Sequence, residues 1–170
     1  MKLNINGYAQ HGKDTVADLF VERHGLKKIH ASFLVAEDII AEGIIGNYHS
    51  VQECYEDRVN HRAEWYDFIR EKARINPAYY VEKTLERGDM YVGHRGLFEF
   101  YETVHMFDAT IWVDASGRGY PKEDRSSCEL APYVPHDFYI DNGKTIQETI
   151  EQVDMVMKLL NNKKRATYAY

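Results

Sequence analysis

The apolar positions change period along the chain, and each change marks an element. Leu3 and Ile5 alternate with polar neighbours, the two-residue period of a short first strand. Val16, Ala17, Leu19 and Phe20 then share a helical face, and Gly25 follows as a C-cap. Residues 26–31 predict a second short strand. Phe33, Leu34, Ala36, Ile39, Ile40 and Ile44 return to helical spacing, with Ser32 as the N-cap. Ser50 caps the most polar helical region, 48–74. Pro77 opens a helix that runs to Arg87, with Tyr80, Val81, Thr84 and Leu85 inward and Gly88 at its end. Residues 89–93 predict a third strand and 96–105 a helix. Residues 109–114 (Ala-Thr-Ile-Trp-Val-Asp) form the continuous apolar run that a central parallel strand requires. Residues 136–140 predict the last strand. Ile146, Ile150, Val153, Val156, Met157 and Leu160 line one face of a closing helix from Thr145. Strands alternate with helices throughout, which predicts an α/β fold: a parallel five-stranded sheet with helices on both faces. No repeat or linker divides the chain, so 1–160 reads as a single domain and 161–170 as a tail.

Composition narrows the picture only a little. A length of 170 residues suits one domain with a sizeable core, and 44% hydrophobic with 28% charged residues is ordinary for a soluble globular protein. The net charge of −6 argues against broad non-specific nucleic-acid binding. Cys54 and Cys128 are far apart and form no metal-ligand spacing, so a reducing cytoplasm is the expected compartment. The chain opens on a strand rather than a signal peptide. No apolar run approaches the length of a membrane span, so no membrane partner is expected. Tyrosine is abundant, at 13 residues, and could serve base stacking or core edges alike.

The densest candidate chemistry lies between the first strand and the first helix. The sequence there is Gly7-Tyr8-Ala9-Gln10-His11-Gly12-Lys13-Asp14-Thr15, a G-x-x-x-x-G-K loop. Its glycines let successive backbone N–H groups wrap one phosphate, and the helix N-terminus adds a positive dipole end. Lys13 would reach the β- and γ-phosphates of ATP, and Thr15 the α- or β-phosphate. The position after the lysine, usually Ser or Thr, is Asp14 here. A carboxylate there can hold Mg²⁺ directly or through water, or accept a proton.

Four further groups are candidates. Arg58, Arg62, Trp65 and Tyr66 fall at i, i+4, i+7 and i+8, so one helix would put two guanidiniums and two aromatics on one face. That face suits a flat anionic ligand, within an acceptor-binding helical region at about 47–87. Equally, it reads as a surface helix anchored to the core by Trp65. His94 and Arg95 stand at the end of the third strand with Glu99 one turn on, where parallel α/β sheets place their ligands. Arg95 and Glu99 also read as an i,i+4 ion pair. Residues 115–130 are polar and carry Arg118, Lys122 and Arg125, the composition of a lid or a solvated excursion. His11 and His94 read as readily as hydrogen-bonded structural histidines as catalytic ones.

Together, the Gly-Lys-Asp-Thr loop, Arg95-x-x-x-Glu99, the Trp112-Val113-Asp114 strand and Ile140-Asp141-Asn142-Gly143 before a helix resemble the deoxynucleoside monophosphate kinases of bacteriophages. The resemblance runs over nearly the whole chain and extends to a phage branch that phosphorylates 5-hydroxymethyluracil in DNA. It implies a P-loop, nucleoside-monophosphate-kinase-like fold in the host cytoplasm, with ATP and Mg²⁺ as cofactors. The acceptor would be a free deoxynucleotide or a modified base in DNA, and a homodimer is compatible with it. In that scheme Lys13, Asp14, Arg95, Arg118 and Arg125 serve catalysis. Arg58, Arg62, Trp65, Tyr66, Arg95 and Glu99 hold the acceptor, and Asp14 holds the metal. A nucleotide-sensing module without transfer activity is the reading from another class. One position departs from the family pattern: Gly93 stands where an Asp usually precedes the strand-end arginine.

Overall fold

The computed structural model describes residues 1–125, 128–132 and 134–167, the side chains of 164–167 excepted. Four strands, β1 (Leu3–Asn6), β2 (Met90–Val92), β3 (Ala109–Asp114) and β4 (Phe138–Asp141), form one parallel sheet in the order β2-β1-β3-β4. β1 is therefore central, with Leu3 beside Met90 on one side and Ala109 on the other. All four residues of β1 are buried, as a parallel strand covered on both faces must be.

The sheet has four strands, not five. Residues 26–31 contribute a single parallel bridge, Lys28 to Met90, at the outer edge of β2. That segment has only the three-residue β2 to pair with. The chain then turns directly into α2 (Ala31–Glu42). The helix begins after His30, so Ser32 lies inside it rather than capping it. Counting the bridge, spatial order across the sheet is the Lys28 edge, β2, β1, β3, β4.

Helices cover both faces. α1 (Lys13–His24), closed by left-handed Gly25, packs with α7 (Ile146–Thr167) over Ile5, Ile111, Val113 and Ile140. α7 extends to Thr167, over most of the segment expected as a tail; residues 168–170 lie outside the described residues. Thr145 and Glu148 cap its start reciprocally. On the other face, Trp112 packs with Tyr8, Phe100 of α6 (Leu97–Thr103), Cys128, Leu130 and Val134. A separate cluster joins α2, α3 (Val51–Asp57), α4 (Arg62–Ile75) and α5 (Tyr79–Arg87) around Leu34, Ile39, Cys54, Trp65 and Tyr80. Among the described residues no helix is long and apolar enough to cross a membrane.

Candidate functional site

The turn leaving β1 is wrapped as its glycines require. Gly7 (φ 149°), Gln10 (φ 63°) and Gly12 (φ 86°) all have positive φ, where a Cβ is strained. At Gly7 a Cβ would stand 2.4 Å from the Val113 carbonyl, and at Gly12 one would stand 2.1 Å from Asn142 Nδ2. The turn thus lies tight against the carboxyl ends of β3 and β4. Lys13 opens α1 and folds back, and its Nζ donates to the Tyr8 carbonyl at 2.7 Å. Burial, then the nearby Arg95 charge, lowers the Lys13 pKa, with Glu123 and Asp14 partly opposing.

Two buried side chains brace the turn from within. The His11 ring is fully buried; its Nδ1 accepts the Ala115 N–H at 2.9 Å and its Nε2 lies 3.2 Å from the Pro121 carbonyl. Because Nδ1 accepts, Nε2 carries the proton and donates to Pro121. Asn142 donates to the His11 carbonyl at 3.0 Å and accepts from Thr149 Oγ1 at 2.9 Å. His11 is therefore a strut between the turn and the segment after β3, and its ring does not face the turn's mouth.

Outside the turn stands an ion pair that the sequence pattern did not single out. Arg95 Nη1 donates to both Glu123 oxygens at 2.6 Å, and Glu123 Oε2 also accepts the Ala9 N–H. The expected Arg95–Glu99 pair is replaced by this one. Glu99 instead turns to the Gly96 N–H at the start of α6, and burial raises its pKa against that hydrogen bond. Arg95 is anchored by its backbone as well: its carbonyl accepts the Glu129 N–H at 2.8 Å. The end of the segment expected as a lid is not solvated: Cys128 and Leu130 are buried, as are Ala131 and Val134 just beyond it. Nothing in the periodicity marks Glu123, one acid in a polar run whose partners lie 28 and 114 residues away.

The remaining candidates disperse. Asp14 points along α1 to Lys28, 2.9 Å away, not into the turn. Partial burial raises its pKa, but the Lys28 hydrogen bond and charge outweigh that and leave it below the ordinary value. Thr15 is exposed near Gly12. Arg118 donates to the Lys144 carbonyl at 2.8 Å, and Arg125 is exposed. Arg58 is parted from Arg62, Trp65 and Tyr66, because the helix breaks between Asp57 and Arg62 in a turn closed by Asn60 and His61 N–H groups. Arg58 ends α3, stacked over Tyr55 and donating to its carbonyl. Arg62 and Tyr66 are exposed. Trp65 is core, so it anchors α4 and offers no ring to a ligand.

His94 is buried in the sheet, with Nδ1 donating to Asn4 Oδ1 at 3.1 Å and Nε2 hydrogen-bonded to Thr103. Burial lowers its pKa to about 3. Beside it, α4, α5 and β2 enclose a cleft of about 40 Å³ lined by Ile69, Tyr79, Tyr80, Tyr91 and Glu99. Among the described residues no three His, Cys, Asp or Glu side chains converge to hold a metal ion. Gly93 (φ 91°) faces Lys13, whose Cε lies 3.5 Å from where its Cβ would be. The usual carboxylate position of the resembled kinases thus adjoins Lys13 and carries no side chain. Compared with the models of known protein families and with curated proteins, the chain matches none.

Proposed function

We propose that this chain is a P-loop phosphotransferase that moves the γ-phosphate of ATP to a deoxynucleotide-type acceptor, in the first instance a deoxynucleoside monophosphate. The observation that carries the reading is the Gly7–Lys13 turn. It has three positive-φ positions, buried Lys13 at the start of a helix, and a place at the carboxyl end of the central strand. Such a turn binds anions through backbone N–H groups and the helix dipole. Strand order supports the same reading, since the chain crosses from β2 over β1 to β3, and parallel sheets take ligands outside the carboxyl ends of their strands at such a switch point.

Phosphoryl transfer rests mainly on positioning and charge neutralisation. An acceptor phosphate oxygen attacks the γ-phosphorus, the bond to the β–γ bridging oxygen breaks, and ADP departs. Lys13 neutralises charge on the β- and γ-phosphates. Arg95, whose charge acts on Lys13, clamps the transferred group once parted from Glu123. Mg²⁺ arriving with the nucleotide would neutralise phosphate charge; with Asp14 engaged by Lys28, it would be held chiefly by phosphate and water.

A nucleotide-binding module without transfer is the second reading, and Gly93 favours it, because position 93 itself puts no carboxylate beside Lys13. An ADP-release assay separates the readings. It would be run with each deoxynucleoside monophosphate and with hydroxymethyluracil-containing DNA. Turnover with one free nucleotide, lost in Lys13→Ala, is the expected result. Turnover only with DNA moves the acceptor to the modified base, and tight ATP binding with no turnover on any acceptor leaves the binding module.

A further inference from the structure

Glu123 occupies the place where the turn should be most attractive to an anion. Its Oε2 takes the Ala9 N–H, both oxygens take Arg95 Nη1, and its charge acts on Lys13. A carboxylate held by a backbone N–H and a guanidinium presents the same chemistry as two oxygens of a phosphate. The segment that carries it is exposed along most of its length and held at a few points. Gly119 (φ 78°) has open space around it, and 119–122 and 124–125 are exposed. Beyond, Cys128 and Leu130 are anchored in the core. On the near side His11 grips the Pro121 carbonyl, so movement of this segment is coupled to the turn itself.

We propose that Glu123 is an internal phosphate mimic: a strap that closes the anion site in the free protein and is displaced by the terminal phosphate of the incoming nucleotide. This rests on the phosphate-binding reading of the turn. Displacement exchanges one anion for another at Ala9 N–H and Arg95. The empty site is thereby kept from adventitious anions, and Arg95 engages the transferred phosphate only when a polyphosphate has arrived. The carboxylate then costs affinity, because the ligand must break its hydrogen bonds before making its own.

The test is calorimetric binding of sodium tripolyphosphate in EDTA, so that a carboxylate acting through a metal would leave the affinity unmoved. Glu123→Gln should bind about tenfold or more tightly than the unaltered chain. Glu123→Asp keeps the charge but withdraws it by one methylene, and should gain several-fold. In hydrogen exchange, the Ala9 amide and 119–125 should change protection when tripolyphosphate is added to the unaltered chain. Binding that is unchanged or weaker in Glu123→Gln overturns the strap and leaves the phosphate site standing. A gain in Glu123→Gln with Glu123→Asp at the unaltered value is a bulk charge effect, and overturns it too. If no form binds tripolyphosphate or ATP, the phosphate reading of the turn falls, and the strap with it.

Discussion

Asn142 donates to the carbonyl of His11 while its own amide nitrogen lies 2.1 Å from the point where a Cβ on Gly12 would stand. The loop after β4 therefore fixes the turn after β1 across the sheet, and Gly12 is the position that admits it. Gly12→Ala would meet both the clash and a left-handed backbone. Gly25→Ala would meet only the latter, since nothing lies within 4 Å of Gly25. The expected costs are about 1–2 kcal/mol for Gly25→Ala and clearly more for Gly12→Ala, read from denaturant melts. Only Gly12→Ala should also lose nucleotide binding.

His94 gives a pH signature. Its folded pKa is lowered by burial to about 3 from 6.5. The unfolded chain therefore binds a proton there between about pH 6.5 and 3 while the folded chain does not, and stability is lost as pH falls through that window. The contribution approaches about 1.4 kcal/mol per pH unit. Between pH 6.5 and 4.5, His94→Gln should lose about 2–3 kcal/mol less stability than the unaltered chain, whatever its starting value. Equal slopes in the two proteins would remove the buried neutral ring from this account.

Arginine variants should divide by location. Arg95 faces the turn, whereas Arg58 lies over Tyr55, 3.7 Å from the ring centroid. Arg95→Ala is expected to lower kcat in the ADP-release assay with little effect on folding. Arg58→Ala should cost about 0.5–1 kcal/mol of stability and leave kcat near the unaltered value. Steady-state kinetics beside thermal melts of both variants checks the pair.

Trp65 provides the contrast between packing and binding. It is 6% exposed within the cluster of Leu34, Ile39, Cys54 and Phe68. Trp65→Ala should destabilise by about 3–5 kcal/mol, and Trp65→Phe by much less. If Trp65→Phe kept its stability but lost acceptor binding, the ring would have to reach a ligand after all.

The sequence by itself determined four of the strands, several helix ends and the glycine-rich turn, because these depend on neighbours. The two-residue period of Leu3 and Ile5, the apolar run of 109–114, Gly25 closing α1 and Ser50 capping α3 through the Glu53 N–H are all local. The positive-φ backbone at Gly7 and Gly12 is local too, whereas the close approach of Val113 and Asn142 to them is tertiary. Local pattern failed where a competing partner was remote. Residues 26–31 have strand character but only one short neighbour, so a single bridge formed. The spacing of Arg58, Arg62, Trp65 and Tyr66 assumed one helix, and a turn at Asn60–His61 parted Arg58 from the other three. Arg95 had an acid one turn away in Glu99, yet tertiary folding delivered Glu123, which also reaches the Ala9 N–H. Which side chains meet at the mouth of the turn was thus decided by the loop after β3. That choice is invisible in a linear pattern, because it depends on how Cys128 and Leu130 anchor the loop against Trp112.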